Sequence, residues 1–282
     1  MDDSPPQPIH LTISVVLHLS CVELLARAIS SVRSAVQEAV AQGSLADAQV
    51  YFVDNSCDAA YRAQVHEVMQ TWPSEETFNV HYRAAEANKG FGHGHNRVIE
   101  TLQSDIHLVL NPDAELDSEA LHAGLSSLAK DPGIVLLSPR VTGKAGEQEF
   151  LCKRYPSVLV LLLRGFAPDF IRSLFESTLA AYEMRVVCQG DEQVAVDIAS
   201  GCFMLVRSAD LRAVGGFDEA YFLYFEDFDL SLRLAQRGRL VFDPALKIVH
   251  QGGYAAKKGL RHVKFFITSA HHFFSRHGWR WM

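Results

Sequence analysis

The chain predicts an α/β fold: a mostly parallel sheet flanked by helices, with a C-terminal helical extension. Three observations predict it. Short β-branched apolar runs alternate with longer segments of helical periodicity through the first half. Polar residues stand just past several of those runs, where open α/β sheets hold their ligands. The composition, 48% apolar and 21% charged over 282 residues, suits a large packed core.

The elements follow in order. Ile9–Leu17 is β-branched and apolar and predicts a first strand. Val22–Ala41 has helical periodicity without Gly or Pro. Gln49–Val53 predicts a second strand, with Asp54, Asn55 and Ser56 at its end. Ala59–Gln70 reads as a helix and Phe78–Tyr82 as a third strand. A Gly-rich loop from Asn88 to Gly94 precedes a helix running to about Gln103. Ile106–Leu110 is a fourth strand ending in Asn111-Pro112-Asp113, followed by a helix over Ser118–Ala129 and a strand at Ile134–Leu137. Residues 144–193 mix charge, proline and apolar runs and yield no assignment. Val194–Val206 predicts a strand pair or one bent strand broken at Ser200-Gly201. Phe225–Arg237 predicts a helix opening on Glu226, Asp227 and Asp229, acids that suit the positive helix end. Val241–Val249 predicts a short strand pair bent at Asp243-Pro244, and Val263–Phe274 an amphipathic helix.

Several classes are disfavoured. Five cysteines at irregular spacing, with no CxxC, indicate neither a disulfide framework nor a zinc ribbon, and favour a reducing cytosol. The acidic, Pro-rich start MDDSPPQP is unlike a signal peptide. The longest apolar run, Val158 to Leu163, is far short of the roughly 20 residues that span a bilayer. A net charge of −7 argues against nucleic-acid binding. The charge is uneven: residues 247–282 hold seven Lys and Arg and no acid, so the rest of the chain stands at −14. That basic tail also carries Phe265, Phe266, Phe273, Phe274, Trp279 and Trp281, which predicts a local surface role.

Five places can carry chemistry. Asp113, directly after an apolar strand, suits a hard divalent ion that bridges phosphates, or else belongs to an ordinary Asn-Pro-Asp turn. Glu226-Asp227 follow an aromatic cluster; they serve as helix caps, or apolar neighbours raise a carboxylate toward general-base use. His250, at a strand end, gains a metal role only alongside another ligand. In NKGFGHGHN, Gly90, Gly92 and Gly94 allow close backbone approach to a phosphate or sugar before a helix N-terminus, or make a flexible turn. The loop lacks the GxGxxG and P-loop spacings. Asp54 suits a base or ribose contact, or a turn. Ser200 has no GxSxG elbow, which disfavours a serine hydrolase.

The order of these motifs says more than each alone. The series VDNS, NKGFGHGHN, LNPDAEL, SGCFMLVRSADLRAVGGFDEAYFLYFEDFDLSLRL and KIVH resembles the inverting nucleotide-sugar glycosyltransferases of family 2, which have the GT-A fold, and within them the bacterial rhamnosyltransferase branch. The resemblance covers roughly residues 10 to 255. It implies a GT-A-like domain over 9–253 and a basic aromatic extension over 254–282. By position, it implies that Asp54 contacts the nucleotide and that Gly90, Phe91, Gly92 and Asn96 line the donor. Asn111 and Asp113 stand where the family's metal-binding DxD lies, with Asp113 and His250 as ligands of Mg²⁺ or Mn²⁺. Asp227 corresponds to the catalytic base, with Glu226 supporting it. Asn111 departs from the DxD pattern, and the first strand ends LHLS rather than TYN.

The resemblance further implies dTDP-L-rhamnose as donor and a glycan or polyprenyl-diphosphate-linked acceptor in surface-polysaccharide synthesis. That places the protein in the cytoplasm, at the inner-membrane face if the tail and the stretch Tyr155–Phe175 dock on lipid. Packing of both segments on the domain is the alternative. A UDP-hexose donor, nucleotidyl transfer and a non-catalytic sugar-nucleotide-binding protein remain rival readings. The expectation to be met by the fold is that residues 113, 227 and 250 meet around one pocket.

Overall fold

A computed structural model of the chain describes residues 9–72, 74–252 and 259–282. The expected domain boundary at 253–254, and the tail cations Lys257 and Lys258, lie outside the described residues. The first half runs β1 (Ile9–Leu17), α1 (Val22–Ala41), β2 (Leu45–Asp54), α2 (Ala59–Met69), β3 (Phe78–Ala84), α3 (Phe91–Ile99), β4 (Ile106–Leu110), β5 (Ala114–Leu116), α4 (Ala120–Lys130) and β6 (Ile134–Gly143). The second half runs β7 (Gln148–Glu149), α5 (Val158–Phe166), α6 (Asp169–Leu174), α7 (Glu176–Tyr182), α8 (Arg185–Cys188), β8 (Val194–Ala195), β9 (Phe203–Arg207), α9 (Ser208–Ala213), α10 (Glu226–Leu234), β10 (Arg239–His250) and α11 (Leu260–His277).

All ten strands among the described residues join one sheet, with path β3-β2-β1-β4-β9-β6-β10-β5, β7 on β6 and β8 on β10. The α/β class and the C-terminal helix are as expected. The sheet is mixed: β3, β2, β1 and β4 run parallel, as do β6 and β10, while β9 lies antiparallel between β4 and β6. β1 shows why the sheet buries both faces. Leu11, Ile13, Val15 and Leu17 pack with Leu25, Ile29 and Val32 of α1 on one face, whereas Val16 points to the other, with Val98 and Ile99 of α3. On that second face Ser14 Oγ bridges His95 Nδ1 of α3 at 2.6 Å and His107 Nε2 of β4 at 2.8 Å. Burial pushes both imidazoles below their usual range, so they are neutral and lock α3 in register against the sheet.

Some expected boundaries shift. The Gly-rich loop largely becomes α3, which ends at Ile99 rather than near Gln103. Glycine is tolerated inside that helix because the helix packs too close for side chains: a Cβ on Gly92 would stand 2.7 Å from Phe217 Cβ, and one on Gly94 2.7 Å from Val16 Cγ2. The residues after Asn111-Pro112-Asp113 form β5, too short to show a pattern in sequence. The bent strand expected at 194–206 divides into β8 and β9. The pair expected at 241–249 is the single strand β10, whose register slips on β6 between Asp243 and Lys247.

The basic tail is not a free appendage. Phe273 and Phe274 of α11 are buried with Tyr221, Phe225 and Leu161. Beyond α11, the Val158 N–H donates to Arg280 O at 2.8 Å and the Leu159 N–H to Trp281 O at 3.1 Å. The chain end therefore clasps the start of α5.

Candidate active site

The carboxyl ends of β1, β2 and β4 lie side by side, with Leu17 opposite Asp54 and Val15 opposite Leu110. They open on a cleft of about 540 Å³ lined by Val16, His18, Asn55, Gly90, Phe91, Asn111, Asp113 and Phe222, with Arg261 and His262 of α11 on its far wall. A second cleft, of about 600 Å³, is lined by Glu226, Asp227, Tyr224, Arg164, Phe166 and Tyr182. His262 lines both clefts.

Gly90 shapes the junction. Its φ of +109° is open to glycine, and a Cβ there would stand 2.3 Å from Phe222 O. The Phe91 N–H instead donates to that carbonyl at 3.1 Å, which pins the start of α3 to the segment leading into α10.

Strand register brings Asp113 and His250 together. β10 pairs antiparallel with β5 so that His250 faces Ala114, the neighbour of Asp113. His250 Nε2 lies 3.6 Å from Asp113 Oδ2. Its Nδ1 lies 2.9 Å from Glu149 Oε2, carried into place by β7 on the edge of β6. With Nδ1–H donating to Glu149, the Nε2 lone pair faces a carboxylate, an arrangement that a cation between them relieves. A carboxylate behind a ligating imidazole is also the usual second layer of a metal site. Asp113 and His250 thus fit a divalent ion as two protein ligands. Among the described residues no three His, Cys, Asp or Glu side chains close on one point, so the protein's contribution is partial.

Asp227 sits at the start of α10. The two residues before the acid pair, Tyr224 and Phe225, hold φ of +71° and +66°. Such a conformation costs a bulky residue about 1–3 kcal/mol. It persists because Phe225 packs edge-on or tilted against Phe228, Phe266 and Phe273, with ring centroids 5.2–5.3 Å apart. Asp227 Oδ2 accepts the Gly201 N–H at 3.0 Å and Oδ1 the Phe228 N–H at 3.0 Å. Burial pushes its carboxyl above the usual range, and the two N–H donors oppose that shift. Glu226 is 5% exposed, and its Oε2 has no hydrogen-bond partner among the described residues. Burial and the neighbouring Asp227 push it up to about 8.

The two clefts are joined through residues 201–202. Gly201 binds Asp227, while Cys202 O accepts the Asn111 N–H at 2.9 Å. Asp113 and His250 thus stand together, but the expected meeting of residues 113, 227 and 250 around one pocket is not found. Asp113 lines the first cleft and Asp227 the second, linked through the 201–202 peptide, because β5 and β10 place one pair and the start of α10 the other.

The other sequence candidates divide. Gly90, Phe91 and Asn111 line the first cleft. Asp54 is 1% exposed, with its oxygens accepting from the Ser56 N–H and the Tyr82 hydroxyl. Its neighbour Asn55 lines the cleft instead; Nδ2 donates to Gly90 O at 2.9 Å, and the buried Oδ1 has no partner among the described residues. Gly92 and Asn96 stand behind the cleft. Asn96 clamps the Gly215-Gly216-Phe217 turn: Oδ1 accepts the Phe217 N–H at 2.8 Å, and Nδ2 donates to Phe217 O and Glu219. Sequence reading missed Asn55, Glu149, Arg164, Tyr182 and His262. Asn55 adjoins a marked position; the rest arise in the unassigned segment 144–193 or in the tail and carry no local signal.

The architecture, a mixed sheet flanked by helices with a cleft at the carboxyl ends of its strands, is that of the GT-A glycosyltransferase fold. A mannosyltransferase from Pyrobaculum calidifontis, solved with GDP-Man and Mn2+, superposes with a TM-score of 0.60 at 17% identity, covering 96% of this chain and 64% of that one. That likeness concerns the fold. The chain belongs to glycosyl transferase family 2, whose family model matches residues 15–210. It is 52% identical over 170 residues to Rhamnosyltransferase WbbL of Escherichia coli strain K12, covering 57% of this chain and 60% of that protein. It is 28% identical over 189 residues to the N-acetylglucosaminyl-diphospho-decaprenol L-rhamnosyltransferase of Mycobacterium tuberculosis, covering 63% of this chain and 60% of that protein. The chain therefore spans about 60% of the length of these curated relatives.

Proposed function

We propose that the protein transfers L-rhamnose, with inversion, from dTDP-L-rhamnose to a hydroxyl of an N-acetylglucosamine carried on a polyprenyl diphosphate, in bacterial surface-polysaccharide synthesis. The likeness to the two rhamnosyltransferases supports the sugar and the acceptor class. The observation that carries the chemistry is the anchored Asp227 carboxylate, in the cleft adjoining Asp113 and His250.

In this reading the first cleft takes the donor. Asn55 Oδ1 accepts a hydrogen bond from the nucleoside, and the Gly90–Phe91 backbone approaches the diphosphate. Asp113 and His250 would hold Mg²⁺ or Mn²⁺, which when bound neutralises negative charge on a departing diphosphate. Glu149 fixes the His250 ring so that Nε2 would be the atom offered to the ion. The acceptor enters through the second cleft, and Asp227 takes the proton of its hydroxyl. The acceptor oxygen bonds the anomeric carbon from the opposite face, and the old anomeric C–O electron pair leaves with the nucleotide. The Gly201 and Phe228 N–H groups favour the ionised form of Asp227, while burial makes it a stronger base.

Arg164 supports an anionic acceptor. It lines the second cleft, where its guanidinium also pairs with Glu183, a carboxylate shared with Lys153 and Arg185. The outer face of α5 and α6 exposes Leu162, Phe166, Phe170 and Leu174, with Trp279 and Trp281 also exposed on the chain end that clasps α5. Phe166 borders the acceptor cleft. This apolar face, with Arg280 at the chain end that clasps α5, suits the anionic cytoplasmic leaflet of the inner membrane. No helix among the described residues is long and apolar enough to cross a membrane.

The test is a thermal-shift panel of dTDP-rhamnose, UDP-glucose, UDP-N-acetylglucosamine and GDP-mannose, with and without Mn²⁺. Selective stabilisation by dTDP-rhamnose, enhanced by the metal, is the expected outcome. Equal or stronger stabilisation by a UDP-hexose overturns the donor assignment.

A further inference from the structure

The second cleft is lined by an acid that the chemistry above does not use. Glu226 precedes the proposed base, is almost wholly buried, and lines the same cleft. Its Oε2 finds no partner among the described residues. A buried carboxyl oxygen without a partner forfeits a hydrogen bond it had in water, at a cost of about 1–3 kcal/mol. Native proteins leave few such atoms, and those they leave call for a ligand or a function.

We propose that Glu226 Oε2 binds a second hydroxyl of the acceptor sugar, next to the one that Asp227 deprotonates, so that the site selects a vicinal diol acceptor. The inference rests on Asp227 as base. The geometry supports it: the two carboxyls are consecutive at the start of α10 and line one cleft. Neighbouring pyranose hydroxyls present a matching pair of polar groups. The titratable and charged groups around that cleft are Asp227 on the same helix, Tyr224 just before it, Arg164 on α5, Tyr182 on α7 and His262 on α11. Burial beside Asp227 keeps Glu226 protonated at neutral pH, so it donates to a hydroxyl oxygen. It also spares Asp227 a second negative charge next door.

The experiment compares E226A and E226Q with wild type in two assays. One is transfer from dTDP-rhamnose to N-acetylglucosaminyl diphosphate bearing a short alkyl chain. The other is slow hydrolysis of dTDP-rhamnose without acceptor, in which water replaces the sugar hydroxyl. E226A lowers kcat/KM for the acceptor by about tenfold or more, mainly through KM, and affects hydrolysis much less. E226Q, which keeps a donor and stays neutral, recovers most of the loss. It also removes the decline of acceptor kcat/KM above about pH 8. One singly deoxygenated acceptor reproduces the loss in wild type and adds nothing in E226A. An unchanged acceptor KM in E226A, or transfer and hydrolysis falling together, overturns the proposal. Failure of the underlying reading is separate: it shows as D227N retaining both transfer and hydrolysis, whatever Glu226 does.

Discussion

His277 Nε2–H, near the end of α11, donates at 2.7 Å to Oδ1 of Asp229 on α10, a carboxylate with no solvent exposure. Arg233 binds the other oxygen at 2.7 Å. The C-terminal helix is thereby tied to the helix that carries Glu226 and Asp227. His277→Ala leaves a buried charge short of a donor and is expected to lower stability by about 1–3 kcal/mol, read as a fall in Tm by calorimetry. An unchanged Tm would show that the His277–Asp229 contact contributes nothing to stability.

Asp227→Asn keeps the shape of the side chain and removes the base. Transfer is expected to fall by about 10²–10⁴. Calorimetric binding of dTDP-rhamnose should be nearly unaffected, because donor and base occupy adjoining clefts. Comparable turnover in the variant excludes Asp227 from the role.

Asp113→Asn and His250→Ala each remove a proposed ligand. Mn²⁺-dependent stabilisation by the donor should disappear in both. Glu149→Gln leaves the ligands in place but loosens the His250 ring, with an expected 10- to 100-fold weakening of metal affinity, measured by titrating Mn²⁺ against EDTA-treated protein. Full donor stabilisation in EDTA would remove the metal from the account.

Glu226 links pH to stability. Its folded pKa of about 8 lies above the ordinary 4.5, so between these values the unfolded chain has released a proton that the folded chain keeps. Stability from this group therefore falls as pH rises from about 4.5 to about 8, and is wholly present below that window. Glu226→Gln should flatten that part of the Tm–pH curve relative to wild type. A curve of unchanged slope would show that Glu226 is ionised in the folded protein.

Deleting the tail cannot test membrane docking cleanly, because Phe273 and Phe274 belong to the core. Exposed positions serve better. Replacing Phe166, Phe170 and Leu174 by serine should change folding little, since these side chains are solvent-facing. Flotation with phosphatidylglycerol vesicles should drop, and binding by wild type should weaken with salt. Equal flotation of the variant overturns docking through this face.

Much of this was legible because the signals were local. Ile9–Leu17 and Val22–Ala41 are both elements whose bounds the residue pattern marks directly, since period and burial coincide. The acid pair and Asn-Pro-Asp were marked by position beyond a strand or at a helix start. Other expectations failed where packing overruled local preference. Gly92 and Gly94 read as loop, yet they are helical because the approach of Phe217 and Val16 leaves no room for a Cβ. For Asp54 and Asn96, expected as donor contacts, the fold shows protein partners. The tertiary fold turns one onto Ser56 and Tyr82 and the other onto the Phe217 turn.

By itself, then, the order of residues determined the α/β alternation, the family and which side chains were chemically capable. The third dimension decided which of them meet. His250 reaches Asp113 only through the antiparallel pairing of β10 with β5, and Glu149 reaches His250 only through β7 on β6. Arg164, Tyr182 and His262 surround the acid pair because α5, α7 and α11 pack there. Contacts between residues 100 or more positions apart are set by strand register and by the burial of whole faces, and neither is written in any short stretch of chain.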